Sequence, residues 1–259
     1  MDAIAVITYP GHFYSTVKTV DQLRSMYNAP VYIFADNLHP DAWDTYVRDV
    51  EATTQCVVIP FAAFEFEHVH DGWLRQQLVK LNVHKHLPGK TWYVTDGDVT
   101  VQRELQPNEV PFNWSPTLMH SLTTDQQRTY ITHFIGDYGL TVDDKPVFTH
   151  HAPFRHITRK DLEGLHTHVL ATTGNEFNSE HEKWIKCQRI VGYGGSSNHM
   201  SMTEWDLLEN YRILVDKQPL NLVYYDVGSG FDTFYGTDRD LEFENVSEEI
   251  WQKIPQNRG

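Results

Sequence analysis

The chain is poor in cysteine: Cys56 and Cys187 are the only two among 259 residues, and no Cys-x-x-Cys pair occurs. That excludes a disulfide scaffold and the common zinc and redox motifs, leaving two thiols in otherwise apolar or helical segments. Familiar catalytic signatures are missing as well. No Gly-x-x-x-x-Gly-Lys-Ser/Thr occurs, which removes the P-loop ATPases, and no Gly-x-Gly-x-x-Gly follows the first predicted strand, as a dinucleotide fold needs. There is no Gly-x-Ser-x-Gly nucleophile elbow. His68-Val69-His70-Asp71 begins like a histidine-rich hydrolase metal motif but runs into Gly72 without the further acid and histidine. Apolar runs do not exceed strand length, too short to span a bilayer. Met1 to Ile7 lacks the basic region and long apolar stretch of a secretory signal. These absences predict no membrane partner and a cytoplasmic location.

Positive charge is scarce too. Lys+Arg number 21 against 35 Asp+Glu, a formal net charge of −14, which opposes non-specific binding to nucleic acid and anionic lipid. An anionic ligand must then be held locally, by a metal ion or a basic patch. What the chain does have is 40% hydrophobic and 13% aromatic residues, enough for a globular core. Its length suits one large α/β domain, and no internal repeat, low-complexity segment or linker marks a boundary. The expectation is a single domain over 1–259.

The first half alternates strand and helix patterns, as in a sheet of mostly parallel strands flanked by helices. Ile4 to Thr8 reads as a strand, followed by Phe13, Val17, Val20, Leu23 and Met26 at helical spacing. Val31 to Ala35 is a second strand ending at Asp36, and Pro40 opens a short helix. Cys56 to Ile59 is a third strand. Gly72 to Leu87 reads as a long helix stopped by Pro88-Gly89. Thr91 to Thr95 is a fourth strand, and Asp96-Gly97-Asp98 follows it directly. Parallel strands put their carboxyl ends on one edge, where ligands bind in open α/β sheets, so Thr8, Tyr9, Asp36 and Asp96 share a rim.

Two carboxylates spaced i and i+2 at such an edge can reach one hard divalent cation, with the glycine between them allowing a tight turn. Asp-Gly is also a common hairpin turn signal. In the preceding helix, Trp73, Gln77, Lys80 and His84 line one face beside the stripe Leu74, Leu78 and Leu81; Lys80 can reach a phosphate or stand in solvent. Later, Val147 to Thr149 reads as a returning strand that delivers His150, His151, Arg155, His156, Arg159 and Lys160, a basic cluster suited to an anion or a metal. Thr158 and Asp161 have capping-box spacing. The loop from Gly192 to Met200 could close over a substrate, and Glu204 after it is a candidate base that also matches a capping box with Ser201. Leu222 to Tyr225 is a late strand.

The stretch Gly72-Trp73-Leu74-Arg75-Gln76-Gln77-Leu78-Val79-Lys80-Leu81, followed by Trp92-Tyr93-Val94-Thr95-Asp96-Gly97-Asp98, resembles the GT-A glycosyltransferases, in particular a bacterial and phage branch. Thr149-His150-His151-x-Pro-Phe and Thr203-Glu204-Trp205 are similar to later segments of that branch. The resemblance implies a GT-A-like, Rossmann-like domain, with residues 1–100 on the nucleotide-sugar side and 101–259 on the acceptor side. It implies a nucleotide-sugar donor, usually a uridine diphosphate sugar, with Mn²⁺ or Mg²⁺ bridging Asp98 and the diphosphate. Asp96 then meets the metal, ribose or sugar; Thr8, Tyr9 and His12 meet the nucleotide; Gln77 and Lys80 face the donor. His150 is the first choice for a late metal histidine, with His151 and His199 competing. Glu204 and His151 are the candidate bases. The acceptor hydroxyl belongs to a glycan, a small metabolite or a phage-type hydroxymethylated DNA base, in the last case within a host cytoplasm. A nucleotidyltransferase and a non-catalytic binding protein are the alternatives.

Overall fold

The computed structural model describes residues 1–37, 40–66, 68–69, 72–101, 104–112, 133–135, 141–142, 145–146, 154–190, 204–219, 221–224 and 231–233. Its strands are β1 (Ala3–Thr8), β2 (Val31–Ala35), β3 (Val57–Pro60), β4 (Thr91–Asp96), β5 (Val99–Val101), β6 (Glu109–Phe112), β7 (Thr141–Val142), β8 (Lys145–Pro146), β9 (Phe154–Thr158), β10 (Asn221–Tyr224) and β11 (Phe231–Thr233). The first half carries helices α1 (Phe13–Met26), α2 (Pro40–Thr54) and α3 (Gly72–Lys80). The chain divides into two compact units: Met1–Leu105, Pro153–His156 and Asp226–Gly259 form one, and Gln106–Ala152 with Ile157–Tyr225 the other.

The central sheet has the order β3-β2-β1-β4-β9, and the pairs β1·β2, β1·β4 and β2·β3 are all parallel. The fold is therefore α/β, with a mostly parallel sheet flanked by helices. All six residues of β1 are buried, as an inner strand covered on both faces requires. The outer strand β3 is partly exposed, with Val57 at its start open to solvent. Register places Ile7 opposite Asp96 and Thr8 opposite Ala35, so the ends of β2, β1 and β4 do meet along one rim.

Three elements depart from the periodicity. The buried face of α1 is Ser15, Thr16, Thr19, Val20 and Leu23, rotated from the Phe13–Val17 stripe because threonine hydroxyls here bond across to the sheet edge. Helix α2 opens at Pro40 as expected but runs for 15 residues and is not short. Helix α3 stops at Lys80 instead of Leu87: the Asn82 amide donates to Leu78 O at 2.7 Å, Asn82 N donates to Val79 O, and the chain tightens into a 3₁₀ turn over Val83–Lys85. His84 lies on that turn and not on the α3 face.

In the second unit β6 pairs parallel with β10, and β7 antiparallel with β8. Helix Arg159–Thr173 opens with the expected capping box: Thr158 accepts from Asp161 N at 3.1 Å, and Asp161 Oδ2 accepts from Thr158 N at 2.7 Å. It closes on Gly174 at φ 74, a left-handed cap that glycine adopts without strain. Helix Phe177–Ile190 buries His181 against Phe177, with ring centroids 5.4 Å apart. Burial drives the His181 pKa down to about 3. From an ordinary pKa of about 6.5 downward, the unfolded chain takes up a proton that the folded chain refuses. Stability is thus complete above that pH and falls by about 1.4 kcal/mol per pH unit until the folded pKa is reached. Urea midpoints at pH 7, 6, 5 and 4 should drop more steeply in the wild type than in His181→Phe; parallel slopes would remove His181 as the cause.

Candidate active site at the carboxyl edge of the sheet

The rim is organised around the turn leaving β4. Asp96 is the last residue of that strand, Gly97 and Asp98 turn, and β5 pairs with β11 rather than returning along β4. The Asp-Gly pair is therefore not the tip of a hairpin. Four hydrogen bonds fix it: Gly97 N donates to Ile7 O at 2.8 Å, Thr19 Oγ1 lies 3.0 Å from Gly97 O and 2.8 Å from Val99 O, and the Thr8 and Thr16 hydroxyls are 2.8 Å apart beneath the glycine.

Glycine at position 97 is required by this close approach. A Cβ there would stand 2.7 Å from Thr8 Oγ1, 2.8 Å from Thr16 Oγ1 and 2.8 Å from Thr8 Cβ, well inside contact distance. Gly97→Ala should cost about 1–3 kcal/mol of stability by overpacking. Gly97→Ala/Thr16→Ala should recover part of it, read as melting temperature; a single variant melting like wild type would show that the turn is loosely packed.

Helix α3 reaches the acids on either side of β1. Arg75 Nη1 lies 2.9 Å from Asp36 Oδ1, its Nη2 donates to Asn37 Oδ1 at 3.2 Å, and its guanidinium stands 5.7 Å from the Phe61 ring centroid. Lys80 Nζ and Gln76 Nε2 both lie 2.8 Å from the same oxygen of Asp96, Oδ1. Lys80 is thus a buried partner of Asp96, with a side chain 5% exposed, and not a solvated lysine on an amphipathic helix. Asp36 and Asp96 are each matched by a permanent cation. Asp98 is not: its side chain is 26% exposed, and among the described residues its nearest charge partner is His12, with Nδ1 3.9 Å from Oδ2. His12 packs on the exposed Tyr9 with ring centroids 3.9 Å apart.

Among the described residues no three His, Cys, Asp or Glu side chains converge as a closed metal site. Asp98, with His12 Nδ1 3.9 Å from its Oδ2, offers instead a partly exposed carboxylate. That suits a hard cation whose remaining ligands are water and substrate phosphate oxygens, the usual manner of Mg²⁺.

The structure brings together Thr8, Tyr9, His12, Asp36, Lys80, Asp96 and Asp98. Gln77 is buried on the same helix, but the amide on Asp96 is that of Gln76. His150, His151, the loop 192–200 and the strand expected at Val147 to Thr149 lie outside the described residues. Glu204 starts a helix in the second unit and is buried; its expected cap Ser201 also lies outside the described residues. Of the segment expected to form a basic patch, the four described basic residues are engaged within the protein. Arg155 and His156 are buried in β9, Arg159 lies 3.5 Å from Glu163, and Lys160 binds Asp216 at 2.8 and 2.9 Å. Burial of β9 on both faces, with Phe154 and Ile157 also buried, accounts for Arg155 and His156.

Residue-type reasoning passed over Arg75, Gln76, Thr16 and Thr19. The signal for Gln76 was its i, i+4 spacing to Lys80, which puts the two side chains side by side.

No family model and no curated protein matches the chain. Among solved structures it is similar to the galactosyltransferase LgtC in complex with donor and acceptor sugar analogs, with 12% identity, TM-score 0.43, and 98% of this chain and 100% of that chain covered. It is also similar to mouse xyloside xylosyltransferase 1 in its apo form, with 10% identity, TM-score 0.40, and 87% and 85% covered. The fold class rests on the sheet order above and not on these likenesses. Among the described residues no helix is long and apolar enough to cross a membrane.

Proposed function

We propose that the chain is a metal-dependent glycosyltransferase, moving a sugar from a nucleoside diphosphate donor, with uridine diphosphate sugars first in line, to a hydroxyl acceptor. The observation that carries this reading is the asymmetry of the Asp96-Gly97-Asp98 turn: one carboxylate held by Lys80 and Gln76, the other partly exposed and, among the described residues, with no charge partner nearer than His12 at 3.9 Å. A rim so arranged can treat the two acids differently. Asp98, with His12 beside it, holds Mn²⁺ or Mg²⁺. Asp96, held at Oδ1 by Lys80 and Gln76, meets a ribose or sugar hydroxyl. Tyr9 offers an exposed ring, and Thr8 sits at the strand end where the nucleotide arrives.

Transfer breaks the bond from the anomeric carbon to the phosphate oxygen, forms one to the acceptor oxygen, and releases the acceptor's proton. A bound divalent ion supplies charge stabilisation to the departing diphosphate. Glu204, buried at its helix start, is the proposed acceptor-side base with His151 as the second candidate, and His150 is a further metal ligand. In this reading 1–259 is one transferase domain with donor-side residues in 1–100. A glycan or small-metabolite acceptor fits better than DNA, since Arg155 to Lys160 forms no phosphate-binding patch and the net charge is −14.

The test is product analysis by mass spectrometry with Mn²⁺, a panel of sugar nucleotides and mixed hydroxyl acceptors. Release of a nucleoside diphosphate with a glycosylated product is expected. Pyrophosphate formed from nucleoside triphosphates would instead make the chain a nucleotidyltransferase.

A further inference from the structure

Helix α1 holds residues 97–101 by side chains three positions apart on one face. Thr16 Oγ1 stands under Gly97, Thr19 Oγ1 lies 3.0 Å from Gly97 O and 2.8 Å from Val99 O, and Gln22 Oε1 accepts from Val101 N at 3.1 Å. Thr19 is the unusual member of this row. A threonine within a helix ordinarily gives its hydroxyl to a carbonyl one turn back, as Thr53, Thr54, Thr167, Thr172 and Thr173 do here, each to the residue four positions earlier. Thr19, 1% exposed, is committed instead to two carbonyls 78 and 80 positions away.

Gly97 and Val99 are the residues on either side of Asp98. Because peptide units are planar, anchoring both carbonyls on one hydroxyl leaves only the backbone rotations of Asp98 and Val99 between the two anchor points. The Asp98 side chain is 26% exposed, and its nearest charge partner among the described residues is His12 at 3.9 Å, so the carboxylate is placed by its backbone and not by a tight ion pair.

We propose that Thr19 is a positioning residue for the cation ligand Asp98: its hydroxyl holds the backbone on both sides of the aspartate, so that the carboxylate is in place before the ion arrives. The proposal rests on the glycosyltransferase reading for the role of Asp98, and on the two bracketing contacts for the role of Thr19. A carboxylate on a loose turn is ordered only when the ion binds, and that ordering is subtracted from the affinity. Partners that orient a metal ligand in this way are worth about 10- to 100-fold in metal affinity. Gln22 supplies the contrast, because it holds the same strand two residues beyond Val99 and brackets nothing that meets the ion.

The experiment is a titration of MnCl₂ into wild type, Thr19→Val, Thr19→Ser and Gln22→Met in the presence of UDP. Binding is followed by loss of the electron paramagnetic resonance signal of free Mn²⁺ against a protein-free blank, beside a thermal melt of each metal-free protein. Thr19→Val, which keeps the shape and loses the hydroxyl, should bind Mn²⁺ about tenfold more weakly. Thr19→Ser, which restores the hydroxyl, should recover most of that affinity. Gln22→Met should melt about 2–4 °C lower, for the acceptor lost at Val101 N, and bind Mn²⁺ as wild type does. Equal Mn²⁺ binding by Thr19→Val and wild type overturns the proposal, as does Thr19→Ser binding no better than Thr19→Val. An equal weakening in Gln22→Met overturns it too, tracing the effect to a loosened contact between α1 and β5. If Thr19→Val does not fold, Thr19→Ala takes its place under the same expectation; failure of both to fold overturns the proposal, since the hydroxyl then serves the fold. A wild type that takes up no Mn²⁺ beside UDP overturns the parent glycosyltransferase reading, a result distinguished by appearing before any variant is compared.

Discussion

Lys80→Met should lower stability by about 3–5 kcal/mol, the cost of leaving a buried carboxylate without its counter-charge. Lys80 Nζ lies 2.8 Å from Asp96 Oδ1, with side chains 5% and 13% exposed, so water can take over little of the ammonium's role. Gln76 still donates to the same oxygen, but a neutral amide replaces neither the charge nor the second bond. The melting temperature of Lys80→Met should drop by about 10 °C or more. Adding Asp96→Asn removes the stranded charge, and the double variant should recover most of the loss; Lys80→Arg should keep more than half of the wild-type stability margin. A Lys80→Met variant within about 1 kcal/mol of wild type would mean that the pair behaves as a solvated one.

Asp98→Asn should do the opposite: little to stability and nearly everything to transfer. Its carboxylate is partly exposed and makes no close contact with a cationic side chain among the described residues, its nearest such partner being His12 at 3.9 Å. Loss of a surface charge at such a position changes folding by about 0.5 kcal/mol or less. Loss of the anchoring carboxylate of a Lewis-acid ion removes several kcal/mol of transition-state stabilisation, so turnover should fall about a thousandfold or more. Steady-state release of nucleoside diphosphate, measured beside a urea melt of the same preparation, separates the two effects. Equal activity in Asp98→Asn and wild type would take Asp98 out of the site.

The contrast between these two variants summarises how the sequence relates to the structure. The parallel strand order was readable because β1, β2 and β4 are continuous buried runs separated by helical periods, and that order alone carries Thr8, Asp36 and Asp96 to one edge. What periodicity could not supply was the partner of each acid. Arg75, Gln76 and Lys80 occupy consecutive and i, i+4 positions on α3, and an amphipathic reading sends one of those faces to solvent. The structure instead buries Arg75 and Lys80, because Asp36 and Asp96 at the strand ends give these cations a counter-charge.

The same limit explains the basic segment. Six basic residues between His150 and Lys160 suggested an anion surface, but sheet burial claims Arg155 and His156, and acids 4 and 56 positions away in sequence claim Arg159 and Lys160. The Lys160–Asp216 pairing is long-range and leaves no local pattern. Gly97 is the converse case. The residue was expected for a tight turn, yet it is needed because Thr8 and Thr16 approach from strand and helix, a demand set by tertiary packing.

The most direct measurement of the central claim is a calorimetric titration of UDP into the wild-type protein and into Asp98→Asn, each with MnCl₂ and with EDTA. Binding that requires Mn²⁺ in the wild type and disappears in Asp98→Asn is the expected result. UDP binding of equal strength in EDTA, or its survival in Asp98→Asn, would contradict a metal-bridged nucleotide at this rim.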